Sequence, residues 1–80
     1  MASSIQKTIS ILIPVYNSEQ IVAKTVEVLL MELRKLPYNH EVILVNDGSP
    51  DNSWAVIQQI AKSTPTVKAV NLLKANIILI

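Results

Sequence analysis

The tetrapeptide Asn46-Asp47-Gly48-Ser49 follows an apolar run, Val42-Ile43-Leu44-Val45, and holds the single glycine of an 80-residue chain. A second polar stretch, Pro14-Val15-Tyr16-Asn17, closes the apolar run that begins at Thr8. Tyr16 offers a flat apolar ring and Asp47 a carboxylate; brought to one edge, the two define a slot of nucleobase size. A carboxylate accepts an N–H, so such a slot suits uracil, thymine or guanine, which present an imide or amide N–H. It rejects cytosine and adenine, which present a lone pair there, because unpaired polar groups are costly. The competing reading needs no ligand: Asp-Gly and Ser-Pro are also ordinary turn and cap chemistry. Gly48 serves either reading, since glycine permits a positive φ or a close backbone approach that a side chain would block.

Other groups with chemical potential are read more plainly. One glycine excludes both GxGxxG and GxxxxGK[ST], so dinucleotide and Walker-type phosphate loops are ruled out. His40 has no second His or Cys at ligand spacing and reads as a solvated residue of a turn. Asp51 and Ser53 are assigned to the first turn of a helix, and Trp54 to the core rather than to a stacking platform.

The elements that must position the two polar stretches follow from periodicity. Thr8 to Val15 is β-branched and apolar, a first strand closed by Pro14, which cannot donate to a sheet ladder. Asn17-Ser18-Glu19-Gln20 offers an Asn cap with Gln three positions on, and Glu19 in the positive first turn of a helix. Val22, Val26, Leu29, Leu30, Leu33 and Leu36 form its apolar stripe until Pro37-Tyr38-Asn39 stops it. Glu41 to Val45 is a second strand, and Pro50, Asp51 and Asn52 open a second helix with Trp54, Ile57, Ile60 and Ala61 facing inward. Val67 to Leu73 supplies a third strand. The order predicts an α/β fold, a three-stranded parallel βαβαβ unit with right-handed crossovers. In open parallel sheets the ligand crevice lies beyond the carboxyl ends of the strands, where PVYN and NDGS both fall.

Bulk composition narrows the classes. A chain of this size makes one domain and buries only about 60% of its unfolded surface. Half of the residues are hydrophobic and 16% charged, so collapse is expected and disorder is not. The formal charge is +1 with the basic residues scattered, which argues against nucleic acid as a partner. The absence of cysteine excludes a disulfide framework and a thiolate metal site, and fits a reducing, cytoplasmic setting. Residues 1–7 form a polar leader without the apolar stretch of a secretory signal, and no apolar run approaches the roughly 20 residues that span a bilayer.

The stretches ISILIPVYNSE at 9–19, EVILVNDGSPDNS at 41–53 and VKAVNLL at 67–73 resemble the start of the family 2 glycosyltransferases of GT-A fold. The wording NDGSPDNSW followed by VNLLK is most similar to the branch that transfers sugars from UDP- or GDP-sugars to polyprenyl phosphates, both dolichyl and undecaprenyl. The resemblance implies that Pro14 and Tyr16 line a base pocket and that Asp47 accepts the base N–H. It further implies that Glu19 lies toward the ribose and diphosphate and that Gly48 keeps the loop low beneath the nucleotide. Asn46 stands where many relatives have an acid.

The resemblance covers residues 8–74 and departs at Ala75-Asn76-Ile77-Ile78-Leu79-Ile80. Relatives continue into an Asp-x-Asp motif that holds divalent Mg or Mn against the diphosphate, whereas no two of the six acids here form one. The expectation is a truncated nucleotide-sugar-binding domain with no catalytic residue, no metal ligand and no cofactor of its own, the metal belonging only to a full-length relative. Its partner would be a nucleotide-sugar, with a membrane involved only through a polyprenyl-phosphate acceptor. Two other readings are a module that binds a nucleotide or partner chain through its open sheet edge, and a shifted reading frame with the apolar tail an aggregation hazard.

Overall fold

The computed structural model describes residues 7–72, so most of the leader and the predicted apolar tail, with Leu73 and Lys74, lie outside the described residues. Five elements alternate: β1 (Thr8–Val15), α1 (Val22–Leu33), β2 (Asn39–Asp47), α2 (Ser53–Ser63) and β3 (Val67–Leu72). The strands form one parallel sheet in the order β1-β2-β3, which is the βαβαβ unit expected from the alternation of apolar runs.

Period-two patterning decides which face of the sheet is covered. Along β1, Ile9, Ile11, Ile13 and Val15 turn toward the core while Thr8, Ser10, Leu12 and Pro14 remain exposed. Their register partners on β2 place Val42 and Leu44 on the same side, both fully buried, and β3 adds Val67 and Ala69. The helices cover this side and touch one another, α1 through Val22, Val26, Leu30 and Leu33, and α2 through Ile57 with Trp54, Val56, Ile60 and Ala61 packed around it. The three- and four-residue spacing of these positions keeps them on one stripe of each helix.

The opposite face has no covering element among the described residues. Leu12 is 64% exposed there, and Val70 and Leu72 are also open to solvent. Its lower end is polar: Ser10 Oγ donates to Glu41 Oε2 at 2.7 Å, and Lys68 Nζ lies 3.5 Å from Glu41 Oε1. The Ser10 hydroxyl, and next the Lys68 charge, hold the Glu41 carboxyl below the ordinary glutamate range. Exposed pairs of this kind contribute little stability, but one spanning three strands penalises a slipped register.

Several boundaries differ from the sequence reading, each for a tertiary reason. β2 begins at Asn39, so His40 is not a turn residue but a half-buried member of the strand, paired with Ile9. β1 pairing holds this segment extended where local composition signals only a turn. α1 ends at Leu33, leaving Leu36 exposed beyond the helix instead of on its stripe. Pro14 lies inside β1, tolerated because β1 is an edge strand where a missing N–H need not break a ladder.

Leu44 of the sheet and Ile57 of α2 belong to one core cluster, and neither has exposed surface. Replacing either with alanine is expected to cost about 2–5 kcal/mol, a large share of the stability of so small a domain. Urea unfolding of Leu44→Ala and Ile57→Ala, followed by circular dichroism, checks this against Leu12→Ala, for which little change is expected.

Candidate functional site

Two loops leave the carboxyl ends of β1 and β2, and each turns through one residue in the left-handed region. Gly48 has φ 70° and Asn17 has φ 51°. A Cβ at Gly48 would meet nothing within 4 Å, so glycine is required there by conformation and not by crowding. Asn17 is the correction to the expected capping box. It does not cap α1, which begins at Val22 behind Ile21 without any side-chain cap bond, and no acid lies in the first turn. The left-handed conformation that asparagine tolerates is what position 17 uses instead.

What fixes these loops is a set of bonds between them. The backbone N–H of Asn17 donates to Ser49 Oγ at 3.1 Å, that of Ser18 to Ser53 Oγ at 2.9 Å, and that of Glu19 to Asp51 Oδ2 at 3.0 Å. Ser49 Oγ donates in turn to the Val15 carbonyl at 3.3 Å, and the Ser18 hydroxyl to the Tyr16 carbonyl at 2.8 Å. Glu19 returns the exchange, its Oε1 accepting from the Asn52 N–H at 3.2 Å. The Glu19 carboxylate, placed by resemblance toward the ribose and diphosphate, thus has an oxygen engaged at the start of α2.

Ser53 and Asp51 form the buried hinge of this network. Ser53 has no exposed surface; its hydroxyl donates to Asp51 Oδ1 at 2.6 Å, and its N–H reaches the same oxygen at 3.0 Å. Pro50, Asp51 and Asn52 therefore precede α2, which begins at Ser53, and Asp51 caps it from outside in the favourable field of the helix N-terminus. The Ser53 hydroxyl is the largest cause holding the Asp51 carboxyl below the ordinary aspartate range, with the Glu19 and Ser53 amides adding to it.

The predicted pocket residues are placed on this braced rim. Register pairs Pro14 with Val45 and Val15 with Asn46, so Tyr16 leaves β1 beside the point where β2 ends at Asp47. Asp47 is exposed, and among the described residues its carboxylate has no hydrogen-bond or ion-pair partner. Tyr16 is 60% exposed at the same rim. No group of three or more His, Cys, Asp or Glu that could hold a metal exists among the described residues. No helix among them is long and apolar enough to cross a membrane.

Residues 10–75 match the family described as Glycosyl transferase family 2. The chain belongs to this family. Curated relatives include an undecaprenyl-phosphate 4-deoxy-4-formamido-L-arabinose transferase of Proteus mirabilis, 38% identical over 66% of this chain and 16% of the relative. The corresponding transferase of Pectobacterium atrosepticum is 40% identical over 69% of this chain and 17% of the relative. The glycosyltransferase YkcC of Bacillus subtilis is 34% identical over 78% and 19%. The chain thus spans less than a fifth of the length of these glycosyltransferases.

Within this family 2 domain, sequence reading missed the cross-loop role of Ser49, Asp51 and Ser53. Only the crowding of Ser, Asp and Asn after Gly48 signals them. Ser53→Ala removes an acceptor from a part-buried N–H and is expected to cost about 1–3 kcal/mol, read from the urea midpoint. For Asp51 the folded carboxyl titrates below its unfolded value, so the unfolded chain binds more protons and stability rises with pH there. The stabilisation is complete above the ordinary value of 3.8 and is lost as pH falls below it. Melting temperatures across that range should fall less steeply for Asp51→Asn, the residual slope including Glu41.

Proposed function

We propose that this chain is the nucleotide-binding part of a cytoplasmic glycosyltransferase that uses a UDP- or GDP-sugar, with a polyprenyl phosphate as acceptor. The observation that carries the reading is the unpartnered, exposed carboxylate of Asp47 beside Tyr16, on a rim braced from both loops. An aspartate left open on a loop where Asn46, Ser49, Asp51 and Ser53 are all hydrogen-bonded is disposed to accept from a ligand. Tyr16 supplies the apolar wall, Pro14 stiffens the strand end beneath it, and Gly48 lets the chain turn away from the base. Family membership and the names of the polyprenyl-phosphate relatives support the substrate classes.

The base slot implies a definite selectivity. UDP or GDP is expected to bind more tightly than CDP or ADP, whose bases present a ring-nitrogen lone pair where uracil and guanine present a ring N–H to Asp47. Isothermal calorimetry on the 80-residue chain reads this directly. Asp47→Ala is expected to weaken binding by about tenfold or more, as for a lost hydrogen bond to a charged group. Asp47→Asn should narrow the gap between UDP and CDP, because its amide both donates and accepts. Equal affinity of Asp47→Ala and the unaltered chain would rule the slot out.

A second reading rests on the uncovered sheet face, where Leu12, Val70 and Leu72 are exposed. In that case the chain binds a partner protein through its open edge or face. Such binding would be indifferent to Asp47→Ala and sensitive to Leu12→Ser.

A further inference from the structure

β3 brings one polar side chain to the same rim. Asn71 is the register partner of Asn46, one position before the last paired residues, Asp47 and Leu72. Asn46 is buried, at 5% exposure, whereas Asn71 is exposed.

The sense of the hydrogen bonds along this pair is fixed from one end. The backbone N–H of Ser49 can only donate, so the atom facing it, at 3.4 Å, is Asn46 Oδ1. Asn46 Nδ2 is thereby turned toward β3 and donates to Asn71 Oδ1 at 2.8 Å. One lone pair of Asn71 Oδ1 is taken by this bond, and among the described residues no group accepts from its Nδ2, which leaves both N–H donors for other partners. The strand ends thus carry an acceptor on β2, Asp47, on the uncovered side of the sheet, and an amide donor on β3, Asn71, on the helix-covered side.

We propose that Asn71 donates a hydrogen bond to an oxygen of the bound nucleotide, and that buried Asn46 is the positioning residue that holds the amide in this sense. The proposal rests on the nucleotide-binding reading of the rim. A base carbonyl, a ribose hydroxyl and a diphosphate oxygen share the chemistry required, that of an oxygen acceptor. The arrangement also makes residue 46 a selector. An aspartate at 46 would accept from both Ser49 N–H and Asn71 Nδ2, and would turn Asn71 Oδ1 outward, replacing a donor with an acceptor.

Calorimetry of the 80-residue chain with uridine, UMP and UDP, and with the guanosine series in parallel, tests this on Asn71→Ala and Asn71→Asp. Asn71 is exposed, but Asn71→Ala leaves the buried Asn46 Nδ2 without its acceptor, so a melting curve accompanies each variant, and Asn71→Asp, which keeps an acceptor there, separates loss of the donor from loss of the fold. Asn71→Ala is expected to weaken UDP or GDP binding by about threefold to tenfold, and Asn71→Asp by more, since a carboxylate would face the acceptor oxygen. The Asn71 side-chain amide resonances should shift when the nucleotide is added. A loss already present with the nucleoside assigns the oxygen to base or ribose, and one appearing only with UDP or GDP assigns it to the diphosphate. Asn46→Asp, with its melting curve as a folding control, should weaken binding in the same direction. Unchanged affinity and an unshifted Asn71 amide, with binding still lost in Asp47→Ala, would overturn the role of Asn71 while leaving the base slot intact. Absence of any heat from the unaltered chain with all of these nucleotides would remove the nucleotide reading, and this inference with it.

Discussion

Three consecutive backbone N–H groups, those of Asn17, Ser18 and Glu19, are left without helical partners because α1 begins only at Val22. Their acceptors come from the other loop: Ser49, Ser53 and Asp51. Backbone polar groups at part-buried positions must be satisfied, and here that requirement joins the ends of β1 and β2 above the sheet. The remaining features of the rim follow from it. Asn17 adopts a positive φ so that its amide and the next two face the second loop, and Gly48 turns so that Ser49 can reach them. Asp51 is occupied on both oxygens, which leaves Asp47 as the carboxylate of this loop open to a ligand.

The scaffold under the rim is thin. One sheet face is packed by two helices, and the other has no cover among the described residues, so each core side chain carries a large share of the stability. Membership of the glycosyl transferase family 2 fits this geometry, since these residues correspond to less than a fifth of the length of the relatives they match. On the proposed nucleotide-binding reading, the ligand would lie across three strand ends, at Tyr16 after β1, Asp47 on β2 and Asn71 on β3.

Much of this was legible in sequence because the signals are local. Alternation in β1, three- and four-residue spacing in both helices, and a lone glycine after an apolar run each describe neighbours a few positions apart. Asp47 and Tyr16 stood out because each lies within two residues of the end of an apolar run. The loop bonds were not legible, because their partners are 32 to 35 residues apart and no short-range rule reaches that far. The same limit explains the misplaced cap. Asn17 and Gln20 satisfy a capping box as text, yet the serines and Asp51 of the second loop outcompete it for the amides. His40 misled for a related reason, its strand conformation being imposed by Ile9 across the ladder.

Amide hydrogen exchange of the ligand-free chain, resolved by proton–nitrogen spectra, addresses the cross-loop brace most directly. Although Asn17, Ser18 and Glu19 lie outside every helix and strand, their amides should exchange slowly, at rates near those of the paired β1 and β2 amides, and should speed up together in Ser53→Ala. Exchange at the rate of an open loop in the unaltered chain would contradict the brace, and with it the claim that Asp47 stands on a preformed rim.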